Sequence, residues 1–462
     1  MNLNFNLKSV FAACIGLMFW QAFLPMTWGA ALFGFAVTCF FYARKKVLSG
    51  FDVIFSAAFL INLWYVLESW GNVRQYDYFN FYMQADYFLK NDFFIFHPQK
   101  YLEVVYFQPP LWSGIAAIVC KIMMLFGKTA EQGFDFVRFI SLFCVSGSAI
   151  VFWRLLKRFH FEKEVRAFVF ALFCFMPIHS IMANLVNNDA LVYFLMLGVL
   201  YLGILWYDDN SWLRTAQLSG VIFCAGMTKF SGLMAVSAVA VLGICKLLQV
   251  SKKQKLKILM QGGLLVCSVV CGFAWGEFLL YHHLPLVPPP QGIEYQSLAH
   301  YALSERLLNW HMWRVPFADV RAGVLEPNVW GALLKTSLFG EWTWQGLFWA
   351  YLLYALGGIS AVLLLISFFG LFREKLGGNF VFNAAWIVLT FSVLGSWINF
   401  WLDYPYFCSS EFRYVAILLP VSLCWLALYL SQKSPSKGKN FTLAGFVVLF
   451  VVARIMLYLN TI

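Results

Sequence analysis

PLWSGIAAIVCKIMMLFG, residues 110–127, is apolar, yet it opens on Pro109-Pro110 and carries Lys121, with Lys128 just beyond it. If this run crosses a membrane, every loop after it changes sides. That a membrane is involved follows from composition. Of 462 residues, 61% are hydrophobic and 12% are charged, about half the charged share of a soluble protein. So few polar groups cannot cover a water-exposed core. A soluble enzyme and a nucleic-acid binder are therefore excluded. The net charge of +11 reads as the Lys and Arg bias of cytoplasmic loops, and the 19 Trp and 21 Tyr suit rings at two water–lipid interfaces. Of the 11 cysteines only Cys408 looks loop-exposed. No disulfide framework and no zinc site are expected.

A spanning helix needs about 20 apolar residues. On that measure the sequence predicts an all-α polytopic protein with spans at 8–25, 28–43, 51–70, 135–156, 165–184, 188–206, 212–228, 230–250, 258–281, 347–372, 380–401, 412–431 and 441–460, 13 in all. Arg44, Lys45 and Lys46 close the first pair, which reads as a membrane hairpin rather than a signal peptide. If 110–127 lies at the interface without crossing, 20 of the 33 basic residues fall inside, including the clusters 154–166 and 246–257. If it crosses, those clusters face outward. The positive-inside rule selects the first arrangement, with the N-terminus inside and the C-terminus outside.

Two segments too polar for lipid then lie on the outer face, 71–134 and 282–346. Their length marks them as functional or disordered, and their Trp, Tyr, Phe and Pro content is unlike that of disordered tails. Both are expected to form short surface helices and a pocket with the helix ends. The organisation is therefore an N-terminal hairpin (1–50), a seven-span module (51–281) with the outer loop 71–134, a large outer loop (282–346) and C-terminal spans (347–462).

Asp77, in VRQYDYFNFYMQADYFLKNDFF (73–94), directly follows the third span. It reads as a general base or a ligand for a metal or sugar hydroxyl, or as a solvated helix N-cap. Asp86 reads as a solvated surface acid and Asp92 as a turn. Gln108 precedes Pro109-Pro110, a rigid start to a surface helix. Asn187, Asn188 and Asp189 fall between two spans, where Asn and Asp also suit turns and caps. Lys229, in GMTKFSGL (226–233), is a lone cation on the outer side. It reads as a partner for an anion such as a lipid phosphate or as a snorkelling lysine. Arg413, in CSSEFRYVAILLP (408–420), is a second outer-side cation, and Glu411 stands beside it. His300, Arg306, His311, Arg314 and Glu341 are polar groups among aromatics in the large loop, without motif spacing. The spans themselves read as nearly free of midplane charge.

Asp77, Asp189, Lys229 and Arg413 come from distant segments and fall at one membrane face. Acid and cation together at a lipid–water boundary suit a reaction in which a lipid phosphate leaves. The cation takes the developing charge and a carboxylate takes a proton from the acceptor.

With these motifs in order, the chain over 51–420 resembles the GT-C glycosyltransferases that use polyprenyl-phosphate sugars. Relatives of that kind are the protein O-mannosyltransferases and the lipid A aminoarabinose transferase. The resemblance rests on Asp77 after a span, Pro109-Pro110-Leu111, Asn187-Asn188-Asp189-Ala190-Leu191, Thr228-Lys229 and Phe412-Arg413-Tyr414…Pro420. Gln108 stands where the family often has His, and Tyr78 where a second acid is common. The resemblance implies an inverting hexosyl or pentosyl transfer from a polyprenyl-phosphate donor to a lipid, glycan or protein acceptor on the outer face, without a nucleotide sugar. In it Asp77 is the base, and Asp189 is a second acid that orients acceptor or sugar. Lys229 and Arg413 hold the lipid phosphate, and Gln108, Asn188 and Glu341 are candidate substrate contacts. No metal site is assigned, and a divalent metal is left open. A periplasmic active site in a bacterial inner membrane is expected, because Asn460-Thr461-Ile462 is no retention signal. The competing function is a transporter or lipid flippase, which would keep its polar groups near the midplane. A structural membrane protein is the third reading.

Overall fold

The computed structural model describes residues 50–71, 73–75, 77–90, 109–159, 161–280, 294–309, 315–319, 322–373, 380–432 and 437–461. The hairpin at 8–43 and Gln108 lie outside these residues. The described chain is helical, and its only β pairings are isolated bridges. Each described span expected from the sequence is helical, but 165–184 and 412–431 are each broken into two bent pieces, and 230–250 opens on a 3-10 turn. Among the described residues eight helices are long and apolar enough to cross a membrane, and ten if two bent pairs each count as one span. The count of 13 is thus not reached among the described residues: two of the 13 fall outside them, and Trp212–Thr228 is 17 residues long.

The spans fall into two classes by burial. Gly50–Glu68, Ala130–Arg158 and Asp189–Asp208 are mostly covered by other helices, whereas Phe230–Gln249, Lys252–Ala274, Leu347–Gly370, Phe380–Asp403 and Asn440–Thr461 are mostly not. The uncovered side chains are large and apolar, among them Leu248, Phe348, Phe391 and Phe441. Contiguous apolar surface on this scale is foreign to a monomer in water, and lipid is the solvent that suits it. The protein is a polytopic membrane protein with an inner helical core and a lipid-facing outer layer.

Both bends follow from proline. Lys163–Phe175 and Ile178–Asn184 meet at 45°. Pro177 between them has no N–H to continue the ladder. Two short 3-10 turns within 407–415 meet Leu418–Ser431 at 50°, with Pro420 in the first turns of that helix. Elsewhere small residues bring helices close. A Cβ on Gly226 would lie 3.1 Å from the Gly272 backbone, so Trp212–Thr228 and Lys252–Leu280 pack backbone to backbone there.

Residues 110–127 form the 15-residue helix Leu111–Leu125. It is about 22 Å long, short of the ~30 Å hydrocarbon layer. It packs with Tyr78–Lys90 and Ala130–Asp135. Arg138 Nη1, at the start of one span, donates to the Ser69 carbonyl, at the end of another, over 2.7 Å. The chain between them leaves and returns at one end of the bundle, the geometry that a non-crossing 110–127 requires. The second polar segment supplies Leu303–Leu308 and Val329–Phe339. It docks on the bundle through Arg306, whose guanidinium lies 4.0 Å from the Trp401 ring centroid.

Candidate active site

Asp189 opens the helix Asp189–Asp208, and Lys229 ends its antiparallel neighbour Trp212–Thr228. A carboxylate at a helix N-terminus and a cation at a C-terminus are each favoured by the helix dipole. The two meet with Nζ 2.6 Å from Asp189 Oδ1. Arg413 comes from the bend at 412–415 and lies 2.9 Å from Asp189 Oδ2. One buried carboxylate thus bridges two cations. Asn187 Nδ2 also donates to Asp189 Oδ2, at 3.1 Å, and the Asp189 N–H donates to Asn187 Oδ1. Asn188 is buried, and its amide donates to the Thr228 carbonyl at 3.1 Å. That bond ties the hairpin together beneath the pair. Lys229 and Arg413 both sit near the Tyr414 ring, at 4.9 and 5.1 Å from its centroid. The Lys229 side chain is 19% exposed and the Arg413 side chain 7%, so Lys229 is the cation a ligand meets first.

Arg413 also binds Glu411 at 2.8 Å, the local pairing that their spacing allows. Glu341 packs against Glu411. Gly340 ends Val329–Phe339 with φ +66, a conformation that suits glycine, and turns the chain so that Glu341 enters the cluster. Burial, then the neighbouring Glu411 charge, pushes the Glu341 carboxyl well above the usual range. A side-chain hydrogen bond joins Glu341 to Glu411. The Glu341 carboxyl is therefore spent on holding Glu411 and, through it, Arg413. Thr336 Oγ1 accepts from the Phe412 N–H at 2.9 Å, anchoring the bend from the same helix.

Asp77 lies on the rim. It is exposed, its φ is +53, and its charge acts on Glu341 and Arg413. Among the described residues its carboxylate is in no ion pair. Arg74, three residues before, also has positive φ, at +51. Two non-glycine residues in this region store strain that the surroundings must hold. The restraints are specific. Arg138 is fully buried and donates to the carbonyls of Ser69 and Gly71. Asn184 donates to the carbonyls of Val73 and Arg74 at 3.4 and 3.3 Å. Gln75 donates to the Asn184 carbonyl at 2.7 Å and accepts from the Val186 N–H. The Arg74 guanidinium lies 4.3 Å from the Trp344 ring centroid.

Solved structures of an oligosaccharyltransferase from the archaeon Archaeoglobus fulgidus are similar to this chain. One is in complex with an inhibitory peptide and a dolichol-phosphate. The match covers 88% of this chain and 55% of that one, at 13% identity and a TM-score of 0.49. The apo form matches at 14% identity and a TM-score of 0.45, with the same coverage. A form tethered to an acceptor peptide containing the NVT sequon matches at 13% and 0.45, covering 88% and 54%. This chain spans about half the length of the chains it matches. No family model and no curated protein matches it. Likeness of this grade carries no functional argument, so the functional reading rests on the side chains.

The structure thus brings Asp189, Lys229, Arg413 and Glu341 into one cluster with Asp77 on its rim. Asn188 lies just beneath, and Asp86 is away from it, paired with Lys90 at 2.5 Å. Cys408 is half-buried rather than loop-exposed. Among the described residues no three His, Cys, Asp or Glu side chains converge on a metal-sized site. The carboxylates Asp189, Glu341 and Glu411 are spent on cations and on each other. Sequence reasoning missed Arg138, Asn184 and Gln75. It also missed Arg454, a fully buried cation inside the span Asn440–Thr461, so the expectation of spans nearly free of charge fails there. A lone Arg within an apolar run was the available signal.

Proposed function

We propose that this protein is a GT-C-type membrane glycosyltransferase that moves a sugar from a polyprenyl-phosphate donor to a lipid, glycan or protein acceptor at the outer, periplasmic face. One observation carries this reading: two cations from distant segments converge on the buried Asp189, beside an exposed, strained Asp77. A phosphate oxygen can join the Asp189 carboxylate between the two cations, and the partly exposed Lys229 is where it would arrive. Arg413 offers a planar donor suited to phosphate.

The chemistry balances on these residues. The acceptor oxygen attacks the anomeric carbon from the face opposite the phosphate, forming the new C–O bond with inversion. The bond from that carbon to the phosphate oxygen breaks, and the electron pair leaves with the polyprenyl phosphate. Lys229 and Arg413 take up the developing charge. Asp77 takes the acceptor proton. Asp189 keeps both cations aimed at one point, and Glu341 and Glu411 keep Arg413 from turning away.

Adding a polyprenyl phosphate to the purified protein tests the phosphate site. A density map should place the phosphate against Lys229 and Arg413. Phosphate density elsewhere, with that site empty, would overturn the assignment.

A further inference from the structure

Arg454 sits fully buried in Lys437–Thr461, and no acid pairs with it among the described residues. It donates to the Phe175 carbonyl at 2.7 Å, to Asn62 Oδ1 at 2.9 Å, to Ser180 Oγ and to the Tyr458 hydroxyl. Phe175 closes the helix broken at Pro177, so a cation there answers both a freed carbonyl and the negative helix end. A charge within a span is costly and marks function by default.

The partners of Arg454 lead to the Asp77 loop by two routes. Ser180 and Asn184 are four residues apart in Ile178–Asn184 and share a helix face. Asn184 holds Val73 and Arg74. Asn62 lies in Gly50–Glu68, which runs directly into the same loop. The second route is aromatic. Tyr458, one turn beyond Arg454, stacks on Trp344 with centroids 5.3 Å apart and packs on Tyr65 at 5.2 Å. Arg74 lies against both Trp344 and Tyr65.

We infer that Arg454 is a positioning residue, which holds the two supports of the Asp77 loop in register from inside the membrane. The inference rests on the proposed role of Asp77. Removing Arg454 leaves Lys229 and Arg413 untouched but loosens residues 71–77. A misplacement of about 1 Å at a reacting group costs on the order of 100-fold in rate.

The test uses Arg454→Met, Arg454→Lys and the milder Ser180→Ala, with two readouts. The first is kinetic: kcat falls about 100-fold in Arg454→Met while KM for the polyprenyl-phosphate sugar stays within a few-fold, and Arg454→Lys recovers part of kcat. The second needs no activity: amide hydrogen exchange across 71–77 rises in Arg454→Met and Ser180→Ala, while exchange at 189–208 does not. Should the wild type transfer no sugar, the proposed function fails, and the exchange readout still decides the role of Arg454. Unchanged exchange at 71–77 in folded Arg454→Met and Ser180→Ala would overturn the inference. So would a defect confined to KM. If Arg454→Met does not fold, Ser180→Ala carries the test.

Discussion

Asp77→Asn separates chemistry from folding at this site with unusual economy. Asp77 occupies left-handed backbone, with φ +53. Asn enters that region as readily as Asp, whereas most side chains are penalised by about 1–2 kcal/mol. The carboxylate is exposed and in no ion pair among the described residues. Its replacement by an isosteric amide should shift stability by no more than about 0.5 kcal/mol. The amide cannot accept the acceptor proton, however. A positioned base contributes about 10²–10⁴-fold, equivalent to roughly 3–5 kcal/mol of barrier. Asp77→Asn should therefore express, insert, melt like the wild type and bind donor, yet transfer sugar about 10²–10⁴-fold more slowly. Asp77→Ala should lose the same rate and some stability besides. Asp86→Asn, which breaks only the surface pair with Lys90, should keep most of its activity. Radiolabelled transfer measured beside thermal melts distinguishes these outcomes. Near-normal transfer by Asp77→Asn would refute the assignment, and a dead Asp189→Asn beside it would move the base to Asp189.

Lys229→Met keeps length and stem but removes the charge nearest solvent. The loss of one charge-assisted contact, about 1.5–3 kcal/mol, predicts roughly 10- to 100-fold weaker donor binding, and unchanged affinity in both Lys229→Met and Arg413→Met would exclude the phosphate site. Glu341 has a folded-state pKa raised by burial and by Glu411. Its contribution to stability is therefore full below the unfolded value of about 4.3 and is lost as pH rises through the folded value. Melting temperature should fall with rising pH in the wild type and fall less in Glu341→Gln, which cannot ionise, and identical pH profiles would show that Glu341 is not the titrating group. Arg138→Met should loosen residues 69–75, seen as faster amide exchange there, because the Ser69 and Gly71 carbonyls, and the Asn184 side chain that holds Val73 and Arg74, all meet one guanidinium.

Apolar length alone located the helices. The residues of 51–70, 135–156 and 188–206 are continuous runs whose backbone can be satisfied in lipid only as helix. The bends escaped that reading. A run such as 165–184 has the length of one span, and the effect of Pro177 on direction depends on which neighbour stabilises the freed carbonyl, here Arg454 from 279 residues away. At the site, Lys229 and Arg413 stood out because charge at the end of an apolar run is costly. Their bridging by Asp189 was not legible, since three segments far apart in the chain meet only in the folded bundle. Glu341 was read as a substrate contact. Its place beside Glu411 depends on the turn at Gly340, which the surrounding aromatics do not disclose.

Covalent transfer of a sugar from a polyprenyl phosphate is what separates a glycosyltransferase from a flippase here. Purified protein in liposomes, supplied with a radiolabelled polyprenyl-phosphate sugar and an extract of cell-envelope acceptors, tests it most directly. Label should appear in a new acceptor-linked product, with polyprenyl phosphate released in equal amount, and that product should be lost in Asp77→Asn and Lys229→Met. Label that crosses the bilayer still attached to its polyprenyl phosphate, with no acceptor-linked product, would contradict covalent transfer and identify a flippase instead.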